Sequence, residues 1–146
     1  MGFQTFTIKG WGIDAEKLNP TTEAQISFIK KFLPETYEDL EENAKDNGKS
    51  VIDFYPEWLE VYDAEGYTGF GPLFAKAIQD NEEDFYPDYF DEVGGSFIIY
   101  DERLPWEMSD RVKKMSAADM TAIFRKYLDE LDVDVDVGRQ CIEYEG

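Results

Sequence analysis

The side chains of this chain that could do chemistry are almost all carboxylates. Thirty-three Asp and Glu residues stand against fourteen Lys and Arg in 146 residues, histidine is absent, and Cys141 is the only cysteine. These counts exclude every nucleophile pair that depends on histidine, and they leave too few nitrogen and sulfur ligands for a zinc site. With one cysteine there is no internal disulfide, which favours a reducing, cytoplasmic compartment.

A pair of carboxylates is the one catalytic set that this composition leaves open, as in glycosidases. With thirty-three acids, some pair lies at any chosen separation, so the sequence gives no specific signal for such a site. We therefore predict that the chain is not an enzyme. A small carboxylate enzyme directed at carbohydrate remains a less favoured alternative.

A calcium site is also considered and rejected. Asp132, Asp134, Asp136 and Glu143 have the spacing of an EF-hand loop, but Val137 stands where that loop needs glycine for its sharp turn. The alternating valines favour an extended backbone, which spreads the aspartates instead of converging them on one ion. We predict neither a metal nor a cofactor.

The net charge of −19 is unevenly distributed. Residues 51–102 hold fourteen acids and one base, Lys76. Charge of this size exceeds the roughly 2–8 that keeps a small domain soluble, and it disfavours both nucleic acid and anionic membranes as direct partners. A basic protein, or a multivalent cation, is the partner that it favours.

Two runs of acids are the candidate partner-binding surface. The denser run contains seven acids in thirteen residues without a base: Asp80, Glu82, Glu83, Asp84, Asp88, Asp91 and Glu92. The second run is Asp132, Asp134 and Asp136. Tyr86 and Tyr89 lie within the first run, and exposed aromatic rings beside carboxylates suit contacts with Arg and Lys.

The elements that must position these residues are predicted from periodicity and capping. Residues 3–13 read as a strand with a bulge or bend at Gly10-Trp11-Gly12, followed by a helix with a Thr N-cap that Pro34 stops. A second helix is predicted over residues 35–45. Val51–Tyr55 is either a short strand or the lead-in to a helical turn at Pro56.

The later half is predicted in the same way. Residues 66–71 form a loop, a helix starts near Pro72, and a hairpin turns at Gly94-Gly95. A capping box at Ser116 opens a helix to about residue 131, and the period-two run Val133–Val137 is a strand that continues toward Tyr144. The chain is thus predicted to be one α+β domain over residues 1–146, an antiparallel sheet of about three to five strands packed against helices on one face.

Two segments carry a resemblance to a family. Residues 3–13, ending Lys9-Gly10-Trp11-Gly12-Ile13, resemble an aromatic strand followed by "YGYGI", and residues 97–106 are similar to "hYLIYEPxYPW". Both patterns are found in small acidic proteins of phages and mobile elements of Firmicutes. This chain departs from them at Lys9, Trp11 and Leu104, where the patterns have tyrosines.

The resemblance implies that the chain originates from a phage or mobile element and acts in the cytoplasm of a host bacterial cell. Small acidic phage proteins without a catalytic set often inhibit host defence nucleases by occupying a positively charged nucleic-acid channel. We therefore expect an inhibitor of the anti-CRISPR or anti-restriction kind, whose carboxylates imitate phosphates. The alternative is an adaptor or structural protein that binds through its aromatic groups and the segment Leu104-Pro105-Trp106.

Overall fold

A computed structural model describes residues 5–92, 95–101 and 105–145 of the chain. Predictions that fall on Phe3, Gln4, Val93, Gly94 and residues 102–104 lie outside the described residues. Within these ranges the α-helices are α1 (Thr22–Phe32), α2 (Pro34–Asp46), α3 (Val51–Val61), α4 (Phe70–Asn81), α5 (Asp110–Lys113) and α6 (Ala117–Glu130). Short 3₁₀ turns lie at Ala15–Lys17 and Pro105–Glu107.

The strands form one antiparallel sheet in the order β2-β3-β1-β4. Their bounds are β1 (Thr5–Asp14), β2 (Asp88–Glu92), β3 (Gly95–Asp101) and β4 (Gly138–Glu145). Six helices and this sheet confirm the predicted α+β class and the predicted strand number. The β2–β3 pairing confirms a hairpin, but Gly95, which was predicted to be in its turn, pairs with Glu92 and belongs to β3.

The predicted helix signals are confirmed where a side chain caps the helix. Thr21 Oγ1 accepts a hydrogen bond from the Ala24 amide at 3.2 Å and opens α1. At α6, Ser116 and Asp119 form the predicted capping box, with reciprocal bonds of 2.9 and 3.1 Å. Each bond satisfies an amide that the first helical turn leaves without a partner.

The helices pack against the sheet face that carries Trp11, Ile13, Ile98 and Tyr100. Trp11 Nε1 donates a hydrogen bond of 2.8 Å to Thr121 Oγ1 and so joins β1 to α6. The helices add a large aromatic core to this face, and Phe85, between α4 and β2, joins it: Phe28, Phe32, Phe74, Phe124 and Tyr127 lie on the helices. Ile99 points to the opposite face and is buried outside this core.

The predicted bulge in β1 is wrong. Pairing runs one residue at a time through Gly10, Trp11 and Gly12 against both β3 and β4. The glycines have another cause, because a Cβ on Gly10 or Gly12 would overlap the carbonyl oxygen of Tyr100 or Ile98. They permit a close approach of β1 and β3.

The middle of the chain is more helical than predicted. Val51–Tyr55 is not a strand but the first half of α3, whose N-cap is Ser50, with Pro56 on an exposed side of the helix. α4 begins at Phe70, so the loop ends at Gly69. In both places the burial of aromatic side chains on one helix face outweighs the weak local propensity.

The strand predicted over Val133–Val137 is also wrong. β4 begins only at Gly138, although Val135 is buried and Asp134 and Asp136 are exposed. The alternation is therefore real, but it reflects a chain extended over the core and not a chain paired in the sheet.

Candidate acidic interface

The predicted run of acids from Asp80 to Asp84 lies at the end of α4 and just beyond it. Asp80 is exposed and pairs with Lys76 one turn earlier, Oδ2 to Nζ 3.0 Å. Glu83 is exposed, and its backbone carbonyl accepts a hydrogen bond from the Arg111 guanidinium. Asp84 is half-buried and has a φ of 60°, in the left-handed region.

Glu82 is turned inward and differs from its neighbours. Its side chain is only 9% exposed and accepts hydrogen bonds from Tyr127 Oη at 2.7 Å and Lys126 Nζ at 3.2 Å. Arg111 completes the group at 3.4 Å. Burial alone would raise the pKa of this carboxyl, but the three donors outweigh it and lower the pKa below its ordinary value. The Glu82 carboxylate thus stabilises the fold by bonds within the chain.

The rest of the first run lies along β2 and its approach. Tyr86 is 45% exposed, whereas Tyr89 is half-buried. Asp88 accepts a hydrogen bond from Gln79 Nε2 at 3.4 Å, and Asp91 accepts one from Ser96 Oγ at 3.3 Å. Glu92 ends β2 opposite Gly95.

The second run keeps its carboxylates in solvent. Asp132, Asp134 and Asp136 are all exposed, and Asp134 is 96% exposed even though Arg125 Nη1 lies 3.5 Å from its Oδ1. Asp132 has a φ of 54° at the turn that follows α6. The intervening valines are buried or half-buried.

The two runs are separated by bases on α6. Arg125 pairs with Asp134 of the second run, and its neighbour Lys126 pairs with Glu82 of the first. These two adjacent bases of α6 therefore each neutralise one member of a different run. The structure does not merge the two runs into one continuous acidic patch.

A larger group of exposed carboxylates lies on α2, α3 and the turn after them. Thr36 Oγ1 lies 3.5 Å from Tyr62 Oη, and Trp58 Nε1 donates to Asp39 Oδ2 at 2.9 Å. Because residue numbers rise along α2 as their partners' numbers fall along α3, the two helices form an antiparallel hairpin. We call residues 34–65 the acidic hairpin.

The acidic hairpin turns most of its large apolar residues inward and its acids outward, although Ile52 and Val61 are exposed. Leu40, Ala44, Phe54 and Trp58 are buried in the core. Eleven carboxylates are exposed, against the two bases Lys45 and Lys49: Glu35, Glu38, Asp39, Glu41, Glu42, Asp46, Asp53, Glu57, Glu60, Asp63 and Glu65. Lys49 Nζ is itself bound to Glu57 Oε1 at 2.5 Å.

Local charge in the sequence ranks this surface below the first run. Residues 35–42 hold five acids without a base, but Lys45 and Lys49 reduce the sum over residues 35–50 to −4, whereas residues 80–92 sum to −7. The available signal was the charge of the whole segment, eleven acids and two bases over residues 34–65. Helical periodicity then places these acids on the outer side.

Two other kinds of site, a metal centre and a membrane span, are not found among the described residues. Residues 5–92, 95–101 and 105–145 contain no group of three or more potential metal ligands close together. In the same ranges, no helix combines the length and apolar character needed to cross a membrane. The lowered pKa of Glu82 is opposite to the raised pKa that a glycosidase needs in its general acid.

Comparisons with known proteins add no constraint. The chain matches no protein-family model, no curated protein and no solved structure.

Proposed function

We propose that this protein binds a basic nucleic-acid-binding protein and blocks its groove, with carboxylates in the place of phosphates. The observation that carries the proposal is the acidic hairpin, which has eleven exposed carboxylates and only two lysines, with nine of the carboxylates on one pair of packed helices. Charges three or four residues apart on a helix lie about 5–6 Å apart, so they form a row and not isolated points. A rigid row of negative charge attracts a cationic groove and steers encounter with it.

The class of partner follows from the resemblance described above. A phage or mobile-element protein of this kind would act on a host defence nuclease, either a CRISPR effector or a restriction nuclease. Of the acids first predicted for the surface, we retain those that are exposed, such as Asp80, Glu83, Asp134 and Asp136. We leave out Glu82, because its carboxylate is already bound by three donors within the chain.

The test compares two variants of equal net charge. The hairpin variant carries Glu38→Gln, Glu41→Gln, Glu42→Gln, Asp53→Asn and Glu60→Gln. The control variant carries five neutral exchanges at exposed acids outside the hairpin: Glu16→Gln, Glu23→Gln, Asp110→Asn, Asp129→Asn and Glu143→Gln. Both lose five charges, so a difference between them reports position and not bulk charge.

The wild-type chain, immobilised, is exposed to lysate of a Firmicutes host, and bound nucleases are eluted by a salt gradient or by competing duplex DNA. We expect nuclease retention at low salt, release by both eluents, and roughly tenfold or greater weakening in the hairpin variant alone. Retention that duplex DNA does not reverse would exclude phosphate imitation. Equal retention by both variants would exclude the hairpin as the surface.

One observation favours a second candidate, an adaptor that binds through an exposed aromatic anchor. Trp106 is 77% exposed, and tryptophans that a partner buries on binding are frequent anchors of interfaces. A groove of about 410 Å³ between the sheet and α6, lined in part by Trp11, Met108 and Met120, offers adaptable apolar surface. Trp106→Ala would abolish binding of an adaptor, whereas loss in the hairpin variant identifies the acidic mode.

A further inference from the structure

A small pocket opens where the loop after α3 meets α4 and the edge strand β2. Its volume is about 260 Å³, and it is lined by both aromatic and acidic residues, among them Tyr67, Tyr89, Phe90, Glu65 and Asp88. Drug-sized ligand pockets begin at about 300 Å³, so this one has room for a single side chain. The pocket follows directly on the acidic hairpin, because Glu65 is the last acid of that hairpin.

The aromatic part of the pocket is held in a fixed geometry. The rings of Tyr67 and Tyr89 meet edge to face, with centroids 5.0 Å apart and an interplanar angle of 69°. The Tyr89 ring lies against Gly71 in the first turn of α4, so close that a Cβ at Gly71 would come within 2.7 Å of it. Tyr67 remains 39% exposed, which leaves its ring accessible from solvent.

The acidic part is positioned by backbone turns. Glu65 and Gly66 have φ values of 54° and 93°, and paired bonds of 2.8 and 3.2 Å between Ala64 and Tyr67 close the turn around them. The Gly66 amide also donates to Asp63 Oδ1 at 2.6 Å. Across the pocket, Gln79 Nε2 of α4 donates both to the Pro87 carbonyl and to Asp88.

We propose that this pocket binds the guanidinium group of an arginine side chain from a protein partner. Two carboxylates disfavour an anion, and aromatic rings beside them favour a cation that can also stack. A guanidinium does both better than an ammonium, because it is planar, weakly hydrated and able to pair with a carboxylate through two N–H groups. The inference rests on the proposed function, since it names the group by which the basic partner is recognised.

Lys76 is the base whose charge acts on Glu65 from within the chain. Its ammonium lies 3.0 Å from Asp80, one turn further along α4, and Asp80 is its hydrogen-bond acceptor. The ammonium of Lys76 is thus held at Asp80, a carboxylate that does not line the pocket.

The test uses a small probe and needs no partner protein. N-acetyl-arginine methylamide is titrated into the full chain at low salt and followed by NMR of the tyrosine rings, with the lysine and leucine analogues as separate arms. We expect saturable shifts at Tyr67 and Tyr89, at least threefold tighter binding of the arginine probe than of the lysine probe, and no saturable effect of leucine. The variants Tyr67→Leu and Glu65→Gln should each weaken the arginine probe by about threefold to tenfold.

Two matched controls lie outside the pocket. Tyr86→Leu removes another exposed tyrosine, and Glu143→Gln removes an exposed carboxylate outside the proposed acidic interface. Both should leave the affinity of the arginine probe within twofold. Lysine binding as tight as arginine, or controls that weaken the probe as much as the pocket variants, would overturn the assignment.

Failure of this inference can be told apart from failure of the proposed function. If the probe binds as expected while host nucleases are not retained, the pocket stands and the nuclease partner is wrong. If nucleases are retained through the hairpin while the arginine probe shows no saturable binding, the pocket assignment is wrong and the acidic interface stands.

Discussion

Tyr127 Oη donates a hydrogen bond of 2.7 Å to Glu82 Oε2 and thereby joins α6 to the end of α4, 45 residues earlier in the chain. Lys126 and Arg111 bind the same carboxylate, so one acid connects three helical segments. Burial and the contact with Glu82 both raise the pKa of Tyr127, which keeps the phenol protonated as the donor. The most negative part of the sequence thus contains a carboxylate whose role is structural.

The variant Glu82→Gln should lower the free energy of unfolding by about 1–3 kcal/mol, because it removes charge-assisted hydrogen bonds in a buried position. Glu83→Gln removes the same charge one residue later, from an exposed side chain, and should change stability by less than roughly 0.5 kcal/mol. Chemical denaturation of the two variants at neutral pH measures the difference. Equal destabilisation would mean that bulk charge, and not this network, is responsible.

The same carboxylate predicts a pH dependence. Its pKa is lowered in the folded chain, so its contribution is present above the ordinary value of 4.5 and is lost as pH falls below that value toward the folded pKa. The stability gap between wild type and Glu82→Gln should therefore narrow as pH is lowered below 4.5. Denaturant titrations of both proteins over this range provide the measurement, and a gap that stays constant would contradict the assigned direction.

Gly12 should tolerate no side chain. A Cβ there would overlap the Ile98 carbonyl, whereas a Cβ at Gly138, its partner across the β1–β4 pair, would meet nothing within 4 Å. Gly12→Ala should thus cost about 1–3 kcal/mol or more of unfolding free energy. Gly138→Ala should be neutral or stabilising by up to about 1 kcal/mol. Thermal unfolding of the two variants distinguishes them, and equal effects would place the cause in chain entropy instead of sterics.

Gly71 is required by the position of the Tyr89 ring and not by its own backbone conformation. In Gly71→Ala the new methyl group comes within 2.7 Å of the ring and should displace it from the pocket. Overall stability should change little, because alanine favours the helix by roughly 0.5–1 kcal/mol over glycine and offsets the local rearrangement. The expected result is weaker binding of the arginine probe by about threefold with a near-normal melting temperature. Unchanged affinity for the arginine probe would show that the position of the Tyr89 ring does not contribute to binding in the pocket.

Repulsion within the acidic hairpin should make stability depend on salt. Between about 0.01 M and 1 M salt the screening length falls from about 30 Å to 3 Å, so repulsion among its eleven carboxylates is largely removed. Wild-type stability should rise with NaCl. The hairpin variant should start more stable at low salt and gain less from NaCl than the control variant of equal charge. Identical salt responses of the two variants would show that stability depends on the net charge of the chain and not on repulsion within the acidic hairpin.

The sequence predicted best where structure is decided locally. The capping residues Thr21 and Ser116 mark helix starts by bonds within three residues, and both predictions are confirmed. The strand predicted over Val133–Val137 is wrong because the alternation of valine and aspartate indicates only which side of the chain is buried. Whether such a segment pairs in a sheet depends on another strand, far away in the sequence. The sequence does not decide between strand and helix at α3, because aromatic residues such as Phe54 and Trp58 suit either. The helix is favoured by the core in which both side chains are buried.

The candidate interface shows the same limit. Exposure of Asp80, Asp134 and Asp136 agrees with their assignment to a surface, but it does not test the binding role predicted for them. The inward turn of Glu82 depends on Arg111 and Tyr127, 29 and 45 residues away, which a local count of charges does not reveal. The net charge of residues 34–65 can be read from the sequence, but the packing of α2 against α3 that gathers these acids is seen only in the fold.

The acids of β2 have a consequence for self-association. β2 is an edge strand of the sheet, and Asp88 and Asp91 lie along it. A second molecule that extended the sheet would place its strand about 4.8 Å from β2 and its carboxylates beside those of β2. Repulsion between the ionised aspartates therefore opposes fibril growth at this edge. That protection requires charge, and near the isoelectric point of 4.1 it weakens. Acidified compartments or acidic buffers are therefore where this chain would be most prone to form cross-β aggregates.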